Sequence, residues 1–169
     1  KGGLVAITGT NGKTTTTALV GQIMQAYFDS VFVVGNIGNA YTKEALNTVE
    51  ESVTVAEISS FQLETVYDFH PHVTAILNIT PDHLNRHHTM ENYVAVKESV
   101  SKNQDKSDFC ILNYEDDYTR DFGERCSASV VWFSSKRKLE EGFYLENDTI
   151  YRADGKGAYE LLKMQDTTL

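Results

Sequence analysis

The hydrophobic pattern of the chain is a series of short apolar runs, each followed by a polar turn and then by a stretch with helical spacing. Residues 4–7, 31–34, 53–56 and 73–79 are such runs, rich in β-branched side chains, and residues 109–112 and 129–133 are two more. Runs without polar alternation predict strands covered on both faces, and their alternation with helices predicts a parallel sheet. Leu19, Ile23 and Tyr27, with Val20 and Met24 beside them, predict a helix over residues 14–27 resting one apolar stripe on that sheet. Further helices are predicted over residues 40–47, over 90–102 and, shorter, within 114–125. In the second of these, Tyr93, Val96, Lys97 and Val100 share one face. Beyond residue 134 the pattern changes. Residues 142–152 predict a hairpin turning at Asn147-Asp148, and Asp154-Gly155 predicts another turn. The expected fold class is α/β, a mostly parallel P-loop-type sheet flanked by helices, with a small antiparallel β appendage over residues 135–160.

The first run leads into Thr8-Gly9-Thr10-Asn11-Gly12-Lys13-Thr14-Thr15-Thr16 and then into the first helix. Gly9 and Gly12 let the backbone approach an anion closely. The N–H groups at the helix start point at it, Lys13 adds a cation, and Thr14 offers Mg2+ a hydroxyl. The implied ligand is a nucleoside triphosphate with its metal. Only Thr10 and Asn11 separate Gly9 from Gly12-Lys13, so this is a contracted form of the standard phosphate loop.

Two later strands also end in polar residues. Residues 53–56 deliver Glu57 and then Ile58-Ser59-Ser60-Phe61-Gln62-Leu63-Glu64, and residues 73–79 deliver Thr80-Pro81-Asp82-His83. Ligands of open parallel sheets bind outside the strand carboxyl ends, so these groups should share an edge with the loop. Glu57 is either a partner of Thr14 in holding Mg2+ or a solvated strand-end acid. His83 can ligate a metal, orient a substrate or cap its loop, which Asp82 and Asn85 would orient by hydrogen bonds to the backbone. His70, His72, His87 and His88 lie in polar surroundings near Pro71 and are expected to be ordinary loop histidines. For Lys97, periodicity alone favours a stem that snorkels past the core to solvent; the alternative is an ammonium aimed inward at the site.

At 169 residues and 41% hydrophobic, the chain suits a single domain. Fifteen basic against 24 acidic residues give a net charge of −9, a surface that repels a phosphate backbone and excludes nucleic acid as an expected partner. No apolar run is long enough to span a bilayer and no charged-then-apolar leader is present, so the expectation is no membrane insertion and a cytoplasmic location. Cys110, inside an apolar run, and Cys126, without metal-ligand spacing, are expected as reduced thiols. A chain that starts at Lys1 without Met and ends at Thr167-Thr168-Leu169 is expected to be a piece of a longer protein.

Four motifs occur in order: TGTNGKTT (residues 8–15), GNIG (35–38), EISSFQLE (57–64) and NITPDHLNRH (78–87). Together they resemble the ATP-dependent Mur ligases of peptidoglycan precursor synthesis, well over residues 1–133 and loosely over the hairpins. The stretch from Ser59 to Glu64 most resembles the D-glutamate-adding member. The resemblance implies that residues 1–169 are a central ATP-binding domain, with UDP-binding and amino-acid-binding domains absent on either side. It also implies that Gly9, Thr10, Asn11, Gly12, Lys13, Thr14 and Thr15 hold ATP, and that Thr14 and Glu57 bind one Mg2+. His83 would ligate a second Mg2+, with Lys97 as a carbamate formed from CO2, and Asn36, Ser59 and Gln62 would contact the UDP-sugar. On this resemblance Lys13, His83 and Lys97 serve catalysis in a monomeric enzyme that joins D-glutamate to UDP-N-acetylmuramoyl-L-alanine through an acyl phosphate. A ligase of the same superfamily with another acceptor, such as a folate polyglutamate ligase, and a generic P-loop ATPase are the alternatives. Asn85 stands where the motif commonly has Asp. The family's His-Asn segment for adenine does not occur before Leu169, so the isolated chain is expected to be inactive.

Overall fold

The computed structural model describes residues 2–167, so Lys1, Thr168 and Leu169, on which the expectation of a longer parent drew, lie outside the described residues. The apolar runs form β1 (Gly3–Thr8), β2 (Val31–Gly35), β3 (Val53–Glu57), β4 (Val73–Ile76), β5 (Phe109–Asn113) and β6 (Ser129–Ser134). Between them lie α1 (Lys13–Gln25), α2 (Tyr41–Glu44), α3 (Ser60–Leu63), α4 (Leu84–His87), α5 (Met90–Glu98) and α6 (Asp117–Arg125). Strands β7 (Glu141–Glu146), β8 (Thr149–Asp154) and β9 (Ala158–Lys163) complete one nine-stranded sheet among the described residues, in the order β2-β3-β1-β4-β5-β6-β7-β8-β9. Pairing is parallel from β2 through β7 and antiparallel from β7 to β9.

The antiparallel part is therefore continuous with the main sheet, because Phe133 and Ser134 of β6 pair with Phe143 and Tyr144 of β7, and it runs past residue 160 to Lys163. Asn147 and Asp148 both take positive φ, the geometry that two-residue hairpin turns require. From β1 the chain crosses to the edge strand β2, comes back inward to β3 beside β1, and then passes to β4 on the other side of β1. The topological switch point therefore lies at the carboxyl end of β1, where a ligand crevice is expected.

Three helices differ from expectation. The first keeps its place and part of its stripe: Val20 and Met24 pack against the core beside the buried Thr17 and Gly21, whereas Ile23 is 48% exposed and Tyr27, beyond the helix end, is 80% exposed. A side chain at Gly21 would approach Val33 Cγ2 to 2.4 Å, so the helix docks through its small residues and rolls Ile23 outward. The helix expected over residues 40–47 is the single turn α2, and that over 90–102 is α5 followed by a tight turn at Ser99–Ser101. The fourth strand ends at Ile76, because Leu77 to Thr80 leave the sheet to bond the first loop. Core residues lie on both faces, Ala6, Ile76, Tyr93 and Leu112 among those on the α5 side and Ile7, Val55 and Ala75 on the α1 side.

Candidate active site

The loop from Gly9 to Gly12 joins β1 to α1. Gly12 caps α1 in a left-handed conformation with φ of 83°, and no side chain caps the helix, leaving its first N–H groups free to meet an anion. The loop is held from outside. Asn11 N donates to Asn78 Oδ1 at 2.8 Å while Asn78 Nδ2 donates to Asn11 O at 3.0 Å, and Thr10 N donates to Asn78 O at 2.9 Å. Lys13 folds over its own loop, its Nζ donating to Gly9 O at 3.0 Å and to Thr10 O at 2.9 Å, and Thr14 and Thr15 are exposed. In a longer parent, Asn78→Ala is expected to remove both side-chain bonds to Asn11, about 1 to 2 kcal/mol in all, and to weaken nucleotide binding about tenfold in a direct titration.

Glu57 ends β3 beside Ile7 of β1 and Gly35 of β2. It is 1% exposed, which overturns the reading of a solvated strand-end acid. Gly35 permits the close approach of the end of β2 to the Glu57 backbone: its φ is 112°, and a Cβ there would fall 2.1 Å from Glu57 O. One carboxylate oxygen accepts from Asn36 Nδ2 at 2.9 Å, and the other, Oε2, is buried with no hydrogen-bond partner among the described residues. A buried, half-satisfied carboxylate at the end of the strand next to the one that feeds the phosphate loop fits a cation. Among the described residues no three His, Cys, Asp or Glu side chains converge as metal ligands, so a metal here would draw the rest of its shell from hydroxyls, water or phosphate oxygens.

Lys97 does not snorkel. It is 2% exposed, its Nζ donates to Gly9 O at 2.8 Å, and it stands 4.8 Å from the centre of the Tyr93 ring. Burial, followed by the nearby charge of Lys13, pushes its pKa down to about 7, against an opposing pull from Asp82. The reason lies in what α5 faces, a loop carbonyl reachable by the stem and an aromatic wall beside it. Tyr93 is a site residue that sequence reasoning missed: it is 1% exposed, and its hydroxyl lies 3.2 Å from Thr10 Oγ1, which in turn bonds Thr80. Its position four residues before Lys97 on the same stripe was the available signal.

His83 sits at the N-terminus of α4 with a left-handed backbone, and Asp82 Oδ1 accepts its N–H at 2.8 Å. Its ring is about half exposed and lies 5.0 Å from the ring of Phe61. A cavity of about 270 Å3 brings together Thr10, Lys13, Asn36, Ser59, His83 and Lys97, walled by Phe61 and Tyr93. Larger clefts of about 520 and 700 Å3 lie against the β6–β8 strands and the β8–β9 hairpin, away from the loop and from every residue of this set. Phosphate loop and buried lysine thus meet at this cavity, and the strand-end acid Glu57 lies outside its lining but is joined to it through Asn36, an arrangement suited to binding a nucleotide and moving its phosphoryl group.

The family model described as the Mur ligase middle domain matches residues 7–168. The chain belongs to that family. It is 63% identical over 169 residues to UDP-N-acetylmuramoylalanine–D-glutamate ligase of Lachnospira eligens, matching 100% of this chain and 38% of that protein. It is 52% identical over 146 residues to the enzyme of that name from Clostridioides difficile, covering 86% of this chain and 32% of the relative. The chain thus spans about a third of the length of the curated relatives it matches. Among solved structures, a MurF ligase from Thermotoga maritima in complex with ADP superposes with a TM-score of 0.67 at 20% identity, covering 95% of this chain and 40% of that one. The fold is that of a Mur ligase domain.

Within this Mur ligase domain the remaining expected residues divide. Ser59 lines the cavity, but Gln62 does not: its Oε1 accepts from Ser59 N at 2.9 Å and from Ser59 Oγ at 2.8 Å in a capping box at the start of α3. Asp82 orients the His83 loop as expected, and Asn85 is exposed. His70 and His72 both contact the buried Asp108, at 2.6 and 3.0 Å, and His88 is exposed. His87 is no ordinary loop histidine. It is 4% exposed and packed among α3, α4 and α5 through Ser60 and Tyr93, contacts that its polar sequence neighbourhood does not announce.

Proposed function

We propose that the chain is the ATP-binding domain of a ligase that joins D-glutamate to UDP-N-acetylmuramoyl-L-alanine, as the names of its relatives say of them. The observation that carries this reading is the convergence of Lys13 and Lys97 on the Gly9 carbonyl, with Glu57 tied to the same cavity through Asn36 and keeping one carboxylate oxygen without a partner among the described residues. The chemical difficulty is that a carboxylate is a poor acyl donor. Its attack on the γ-phosphate of ATP gives an acyl phosphate and ADP, and the amine of D-glutamate then displaces phosphate to form the amide. Gly9 to Thr15 cradle the phosphates, and Lys13 leaves its loop carbonyls to meet the phosphoryl group as charge develops on it.

Thr14 and Glu57 would hold one Mg2+, and His83 with Lys97 a second; the metal supplies positive charge that lets two anions approach. A buried Lys97 with a pKa of about 7 has a large neutral fraction. Its Nζ lone pair can add to the carbon of CO2, and loss of one proton leaves a carbamate anion in place of the amine. Asn36 and Ser59 face the same cavity and are available to the UDP-sugar.

No helix among the described residues is long and apolar enough to cross a membrane. From the family resemblance we infer a monomeric cytoplasmic enzyme whose ATP-binding domain alone is inactive, since other parts of a longer protein would complete the sites for the UDP-sugar and the amino acid. The test is phosphate release from ATP by the full-length parent. Release that needs both UDP-N-acetylmuramoyl-L-alanine and D-glutamate is expected. Release with another amino acid would reassign the acceptor, and release indifferent to both substrates would reject the ligase.

A further inference from the structure

A single turn such as α4 has no stability of its own, so something else must hold it. Leu84, Asn85 and Arg86 are exposed, and His87 is its buried side chain. His87 Nε2 lies 3.0 Å from Ser60 Oγ and Nδ1 lies 3.5 Å from Glu64 Oε1, while the ring stacks on Phe61 at 5.7 Å. Burial keeps its pKa below the usual histidine value. A neutral ring with Nδ1–H turned to Glu64 and Nε2 accepting from the Ser60 hydroxyl satisfies both neighbours. Glu64 also takes two bonds from Arg86, from Nη2 at 2.7 Å and Nε at 3.3 Å. The amides of Arg86 and His87 bond back to His83 O at 2.9 and 3.1 Å. His83 itself has φ of 51°, a conformation that a residue other than glycine keeps only when its surroundings impose it. Through Glu64 and Ser60 the turn is thus fastened to α3, and it carries His83 to the cavity.

We propose that His87 and Glu64 are positioning residues that hold His83 at the phosphate loop, a role that rests on the ligase reading above. Groups that orient a metal ligand from outside change activity or metal affinity by about ten- to a hundredfold when removed. In the full-length parent, His87→Asn is expected to lower turnover by about that factor and to raise the Mg2+ concentration needed for half-maximal rate. Hydrogen exchange of the metal-free protein is expected to speed up at residues 83–88.

A double-mutant cycle with His83→Ala separates positioning from general packing. If His87 acts through His83, adding His87→Asn to His83→Ala lowers turnover no further; full additivity overturns the proposal. If His83→Ala alone keeps normal turnover, the role of His83 fails, and the proposal fails with it for that separate reason. Glu64→Gln, which keeps the side-chain size and removes the charge facing Arg86 and His87, serves if His87→Asn does not fold. It is expected to speed exchange at residues 83–88 while leaving nucleotide binding intact, and unchanged exchange there overturns the proposal.

Discussion

Turnover of the full-length enzyme is expected to fall about a hundred- to a thousandfold when Lys13 is replaced by alanine, a loss of about 3 to 4 kcal/mol in transition-state stabilisation. The structure explains why the effect should fall on rate rather than on folding. Nζ of Lys13 is bonded to the carbonyls of Gly9 and Thr10, and the Gly9 carbonyl also accepts from Lys97. Losing Lys13 therefore leaves Gly9 O satisfied, and the loop keeps its clamp on Asn78. What disappears is a cation within reach of the transferring phosphoryl group. Steady-state kinetics should show a fall in kcat much larger than the rise in KM for ATP, with the melting temperature nearly unchanged. Near-normal kcat would remove Lys13 from the mechanism, and an equal change in KM alone would make it a ground-state binding residue.

Features written in consecutive residues were legible in the sequence, and features made by distant contacts were not. The six apolar runs and the glycines of the first loop announce a parallel sheet with a phosphate cradle, because strand burial and loop conformation are local consequences of residue type. The same holds for the Asn147-Asp148 turn. The buried face of α1 was read only in part: Val20 and Met24 pack inward as expected, but Ile23 turns out because the docking depends on Gly21 meeting Val33 from a different element. Glu57 looked like a possible surface acid, because its burial depends on neighbours from other strands and loops, Gly35 packed against its backbone and Asn36 bonded to its carboxylate. Periodicity placed Lys97 on the apolar stripe but could not say what lay opposite, and the Gly9 carbonyl decides its direction. His87 is the clearest case: Ser60 and Glu64, more than twenty residues earlier, make it a buried anchor that nothing in its own neighbourhood signals.

Lys97→Met is expected to abolish most turnover, again by about a hundred- to a thousandfold, while leaving the protein as stable as before or more stable at pH 7. Methionine keeps the length of the stem and its contact with Tyr93, and Gly9 O retains Lys13 as a donor. The lysine itself is a burden to the fold. Its pKa is about 7 in the folded state against 10.5 for the free side chain. Between those values the unfolded chain holds a proton that the folded chain has lost, so stability rises as pH increases from about 7 towards 10.5. Below that window both states are protonated, and the folded state carries the whole penalty of a buried ammonium, on the order of a few kcal/mol. Urea unfolding of the full-length protein in CO2-free buffer, repeated across this range, should show that slope in the parent and lose it in Lys97→Met. Removing CO2 should also slow turnover of the parent reversibly and leave the residual rate of the variant unchanged. A variant with the parent's slope would place the shifted proton on another group, and one with the parent's turnover would leave Lys97 with no part in the reaction.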